Sequence, residues 1–155
     1  MCDINSLKTN FSKLLQFNLN DLLLLVICIV SLPLISFLLK IIRYQNLKKL
    51  LSLFLPSNSV SEETSKINKK KIIGIARIVH IAGTKGILRK DNCLAKSLLL
   101  WVLISRFCNS AIIRFGVQKT NSGSIKAHAW VEYDGMPLID SFNVYKDFSV
   151  YEKMT

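Results

Sequence analysis

Asn92-Cys93-Leu94-Ala95-Lys96-Ser97-Leu98, and then Ala127-His128-Ala129-Trp130-Val131-Glu132-Tyr133-Asp134-Gly135 with Asp140 downstream, decide how this chain folds. The first stretch opens an apolar run, and Asp91 or Asn92 is a natural N-cap, so Cys93 stands in the first turn of a helix. That helix, reaching about Phe107, is apolar nearly all round (Leu94, Ala95, Leu98, Leu99, Trp101, Val102, Leu103, Ile104), as a buried central helix should be. The second stretch alternates as a strand over Ala127–Tyr133, turns at Asp134-Gly135, and returns over Met136–Asp140 as a hairpin. Ala111 to Gln118, with its Ile, Phe and Val content, reads as another strand, although Gly116 weakens it.

Working back from Cys93, helical spacing is expected over Ser65–Ala82. Lysines 66, 69, 70 and 71 lead that stretch, Ile72, Ile75, Ile78, Val79 and Ile81 come after them, and Gly83 suits its end. The lysines make a solvated face, or a contact with anionic lipid or an acidic peptide. Arg43–Leu55 is a further helix, and Pro56–Ser61 a linker. Leu22–Leu39 carries no charge, only Ser31, Pro33 and Ser36 interrupting its apolar side chains. It is either a membrane contact at the short limit for a span or a core helix or hairpin broken at Pro33. Lys40, Arg43, Lys48 and Lys49 lie just beyond it, and by the positive-inside rule they place the chain after Leu39 in the cytoplasm, on the inner face of the membrane. The division expected is a hydrophobic helical N-terminal segment and linker over 1–61 and a core over 62–155. The fold class is α+β, with helices first and a small antiparallel sheet after.

Composition narrows the function. The 155 residues are 50% apolar, which excludes wholesale disorder. A formal charge of +11 favours acidic partners, but no nucleic-acid motif accompanies the basic residues, so nucleic acid is not the expected partner. Cys2, Cys28, Cys93 and Cys108 show no paired spacing, which argues against a zinc site and suits a reducing compartment. No basic segment leads directly into a cleavable apolar one, so no signal peptide is expected. No cofactor is called for. His80, alone among isoleucines, is expected at the core or its boundary rather than in catalysis.

Cys93, His128 and Asp140 are the types that make a thiol nucleophile, its base and the group that orients the base. A helix N-terminus favours thiolate over thiol, and its free N–H groups, Cys93's included, suit an oxyanion. Asn92, or an N–H of the 84–91 loop, is the candidate second donor. The hairpin register decides whether base and orienter meet. A two-residue type I′ loop sets Tyr133 opposite Met136 and His128 opposite Ser141, with Asp140 pointing away. A three-residue loop, with Gly135 in the left-handed region, sets His128 opposite Asp140 at a Cβ separation of ~4.5–5.5 Å. The triad is therefore expected with the three-residue loop. Trp130 shares the His128 face, as a roof over the site or as packing; Glu132 is a weaker orienter, and Asp134 belongs to the turn.

Asn92-Cys93-Leu94 with Lys96-Ser97-Leu98, then Ala127-His128-Ala129-Trp130-Val131-Glu132, Asp134-Gly135 and Asp140, resemble the transglutaminase-like cysteine peptidases of lasso-peptide biosynthesis. The likeness is specific from about Ile72 to Asp140. It implies a transglutaminase-like, papain-like core and a leader peptidase acting before a separate ATP-dependent cyclase closes the macrolactam. It further implies Cys93 as nucleophile, His128 as base and then acid, and Asp140 as orienter. Residues 1–70 show no winged-helix leader-recognition module, so the resemblance implies a stand-alone peptidase served by a separate recognition protein. Two other readings stay open: acyl transfer to an amine on the same site, and a non-enzymatic, membrane-associated basic protein.

Overall fold

The apolar run folds as one continuous helix, α1 (Leu19–Ile41), that passes through Pro33. Residues 19–53, 65–85, 92–108, 110–120, 123–140 and 143–151 are described in this computed structural model. The hairpin broken at Pro33 is not formed. A mid-helix proline removes one backbone hydrogen bond, while Leu25, Cys28, Leu32 and Ile35 on both sides of it are buried in the core. The leader before residue 19 and the linker at Pro56–Ser61 lie outside the described residues.

Arg43, extended at φ −60° and ψ 141°, turns the chain into α2 (Tyr44–Ser52). Leu47 is fully buried there, and Tyr44 meets the ring of Phe115 edge-on at 5.0 Å. The third helix, α3 (Ser65–Lys85), continues past the expected stop at Gly83. That glycine packs instead of capping, since a Cβ there would enter the aliphatic stem of Lys96. Ile72, Ile75, Val79 and Ala82 recur at helical spacing and are buried. His80 is exposed on the flank of α3, at the boundary of the buried face rather than in the core.

The helix α4 (Cys93–Ile104) is the centre of the molecule, with Leu98, Leu100 and Ile104 fully buried between α1, α3 and the sheet. It stops short of Phe107, the last turn being looser. The sheet is antiparallel in the order β3-β2-β1-β4, with β1 at Ile112–Lys119, β2 at Ile125–Tyr133, β3 at Met136–Pro137 and β4 at Ser149–Tyr151. A short helix, α5 (Val144–Asp147), leads into β4. Neither α5 nor β4 is foreseen from the sequence.

Strand alternation gives the sheet two distinct faces. Val131 and Tyr133 of β2, with Ile113 of β1, join the helical core. His128, Trp130 and Glu132 look the other way, and there Gly116 lies directly opposite His128. The structure is thus an α+β domain with a buried central helix on a small antiparallel sheet.

The hairpin closes with two residues and not three. Tyr133 pairs with Met136 and Glu132 with Pro137, around Asp134 at φ 50° and Gly135 at φ 70°. Both φ values are positive, as a type I′ turn requires, and aspartate followed by glycine tolerates this well. The turn matches the twist of the flanking strands, which favours it over the longer loop. Pairing then lasts only two residues, and after Leu138 N–H donates to Val131 O at 3.0 Å the chain bends away over 138–140.

Candidate active site

That bend is what brings Asp140 to His128. Leaving the strand frees Asp140 from the alternation that would have turned it outward, and its Oδ1 lies 2.9 Å from His128 Nε2. The contact expected from one register forms in the other, by a different route. The carboxylate engages Nε2, which leaves Nδ1 for the thiol of Cys93, to which the ring is also hydrogen-bonded.

Cys93 reaches the imidazole across the edge of β2 that β3 has vacated. Val131 O faces that edge, so two residues earlier the peptide groups of Ala129 face it as well. The hydroxyl of Ser97, one helical turn from Cys93, donates to Ala129 O at 2.9 Å. The N–H of Ala129 meets the Cys93 sulfur. Two side chains on one face of α4 thereby take the place of a neighbouring strand. They fix the helix N-terminus against the strand that carries His128. Asn92 is buried at the N-cap position, where its side chain does not make the usual capping bond and its carbonyl receives Lys96 N–H at 2.9 Å.

Burial raises the Cys93 thiol, but the His128 hydrogen bond, the N–H groups of Ala129 and Leu94 and the nearby imidazole charge together bring it below its ordinary 9.0. His128 is pushed up to about 9, first by its hydrogen bond to Asp140 and then by that to Cys93, against the effect of burial. The two shifts stabilise the same state, a thiolate beside an imidazolium. Burial instead pushes Cys28 up to about 11 and raises Cys108. Among these three thiols Cys93 should therefore react selectively with iodoacetamide near neutral pH, read by peptide mass mapping. Catalysis should rise with pH as Cys93 loses its proton and fall again as His128 loses its own near 9. A rate still climbing well above that pH would exclude the pair.

The ring of His128 is held between two aromatics. Trp130, 1% exposed, stacks beside it at 6.0 Å, and Phe148 lies tilted at 5.2 Å. Trp130 is therefore packing on the His128 face, a wall and not a roof. Phe148 has no signal in the sequence, because the tail that carries it returns to β1 only through tertiary pairing. Gly116 makes room for both rings, since a Cβ there would stand 2.8 Å from Phe148 Cβ and 3.0 Å from Trp130 Cζ3. Gly116→Ala should cost about 1–3 kcal/mol in urea unfolding, as overpacking does, and should lower activity by shifting Phe148. An unfolding curve like wild type would show that the face gives way freely.

Glu132 is engaged elsewhere, its Oε2 3.1 Å from Arg114 Nε, and Asp134 serves the turn. On the open side, Lys126, His128, Asp140, Val144, Asp147 and Phe148 line a small cleft of about 220 Å³. Among the described residues no three potential ligands gather around a metal site.

A reactive thiol mounted on a buried helix and facing a carboxylate-held imidazole is the layout of a cysteine-type enzyme. The chain belongs to the transglutaminase-like superfamily, whose family model matches residues 37–153. That superfamily includes cysteine peptidases and acyl transferases. No curated protein and no solved structure matches the chain.

Proposed function

We propose that the protein is a cysteine peptidase that removes the leader from a ribosomally made lasso-peptide precursor. It works in the cytoplasm with a separate winged-helix recognition protein, ahead of the ATP-dependent macrolactam cyclase. The observation that carries the chemistry is the Cys93–His128–Asp140 chain, with its 2.9 Å His128–Asp140 contact. The choice of substrate rests on the resemblance carried by Asn92-Cys93-Leu94 and Ala127–Glu132.

The steps are set by the groups present. The Cys93 thiolate attacks the leader–core carbonyl, and the N–H of Cys93 at the first turn of α4 receives the oxyanion. His128, protonated and held by Asp140, gives its proton to the leaving amine, the C–N bond breaks, and a thioester remains on Cys93. Water, deprotonated by His128, then attacks the thioester and frees the thiolate and the leader carboxylate.

Mass spectrometry of the precursor incubated with the protein and its recognition protein tests this. Two fragments whose masses sum to the precursor plus one water are expected. A leader fragment joined to an added amine would mean acyl transfer instead, and an untouched precursor with all components folded would sink both readings.

A further inference from the structure

The outward side of α1 is as apolar as its buried side. Leu23, Val26, Val30, Leu34, Phe37 and Ile41 are all more than half exposed, and at 100° per residue they fall on one face, opposite Leu25, Cys28, Leu32 and Ile35. With Leu22, Ile27 and Ile29, also exposed, the band covers nearly half the helix circumference. A coiled-coil seam is narrower, and monomeric soluble proteins rarely leave such a surface to water. Its margins are basic. Lys40 borders one side, and on the other Lys70 and Arg106 stand with Leu23 and Ile27 around a groove of about 1000 Å³. Asp21, the lone acidic residue of the helix, lines the same groove, where Lys70, Lys71 and Arg106 outnumber it.

We infer that this face docks on an anionic membrane, with α1 lying in the plane of the interface rather than crossing it. An apolar band flanked by Lys and Arg fits acyl chains beneath anionic headgroups. Spanning conflicts with the core. The buried side chains of α1 run from Leu25 to Ile35, through its middle, and the helix packs on α3 and α4, while α3 shows Lys69 and Arg77 outward. A span would either carry those charges into hydrocarbon or strip α1 from the fold.

The test is flotation of the full chain with sealed vesicles of phosphatidylcholine alone or with about one-third phosphatidylglycerol, as anionic leaflets demand. Wild type should float with the anionic vesicles and several-fold less with neutral ones. Val30→Asp/Leu34→Asp should stay at the bottom, with the circular dichroism and Cys93 alkylation of wild type. Lys70→Gln/Arg106→Gln should lose the preference for anionic lipid. An N-terminal tag on the bound protein should remain open to added protease, whereas a protected tag would mean that α1 spans. Wild type that fails to float, or an aspartate variant that floats equally well, would overturn the inference. So would a dimer that ignores vesicles and is broken by the same substitutions, since a second copy would then cover the face. None of these readouts depends on peptidase activity.

Discussion

Cys93→Ala is expected, on the peptidase reading proposed above, to lower leader release by roughly 10⁴–10⁶-fold, the scale seen when a covalent nucleophile is removed from a comparable catalytic unit. Folding should survive. The side chain is only partly buried, alanine is the best helix former, and Ser97 still ties α4 to Ala129. What disappears is the atom that would form the proposed thioester, so neither His128 nor the helix N-terminus has anything to activate. Cys93→Ser separates chemistry from packing. It restores size and a polar atom, but a hydroxyl gains little of the ionisation that lowers the thiol, so its rate should stay near that of the alanine variant. Release rates on the precursor, with thermal melts of both variants, decide the matter. A serine variant close to wild type would reduce Cys93 to a packing residue.

Asp140→Ala should cost about 10²–10⁴-fold, the range attributed to a positioned acid or base. Its hydrogen bond is the largest cause of the raised His128 pKa of about 9. Without it the ring loses its proton at lower pH and keeps only the Cys93 thiol and the rings of Trp130 and Phe148 to orient it. Asp140→Asn distinguishes the two losses, because the amide retains the reach but not the charge. It should move the alkaline limb of the rate profile to lower pH, and an unmoved limb would remove Asp140 from this role. Stability should change in step. A folded-state pKa above the ordinary 6.5 adds stability that is whole below that pH and is lost as pH rises through about 9. Asp140→Ala should therefore lose stability mainly on the acid side of that window, leaving its urea midpoint nearer wild type at high pH.

The parts of the site written in local chemistry were legible in the sequence. Cys93 follows an asparagine, a residue type common at the N-cap, at the start of an apolar run, and Asp134-Gly135 marks a turn, so helix and hairpin could be located from neighbouring residues. The register was not legible. Asp-Gly suits both a two-residue loop and a three-residue one, and the strand ends after Pro137 because the chain bends, which alternation does not encode. Asp140 therefore meets His128 through a departure from the strand. Ser97 was within reach, being the polar residue one turn from Cys93 on an apolar helix. Phe148 was not, since only the pairing of β4 with β1 brings it to the imidazole. For α1 the apolar run was evident, but only packing shows that one side of it faces the core and the other does not.

The vacated edge of β2 has a consequence for solubility. A sheet edge with bare peptide groups is a template on which other chains can pair and aggregate. Among the described residues one outer strand has two residues and the other three, and short edges of this kind recruit neighbours poorly. Where β3 stops, the thiol and the Ser97 hydroxyl occupy the Ala129 peptide groups that would otherwise be open. The helix that carries Cys93 thus also seals the sheet, and Ser97→Ala would bare the Ala129 carbonyl on the strand that carries His128.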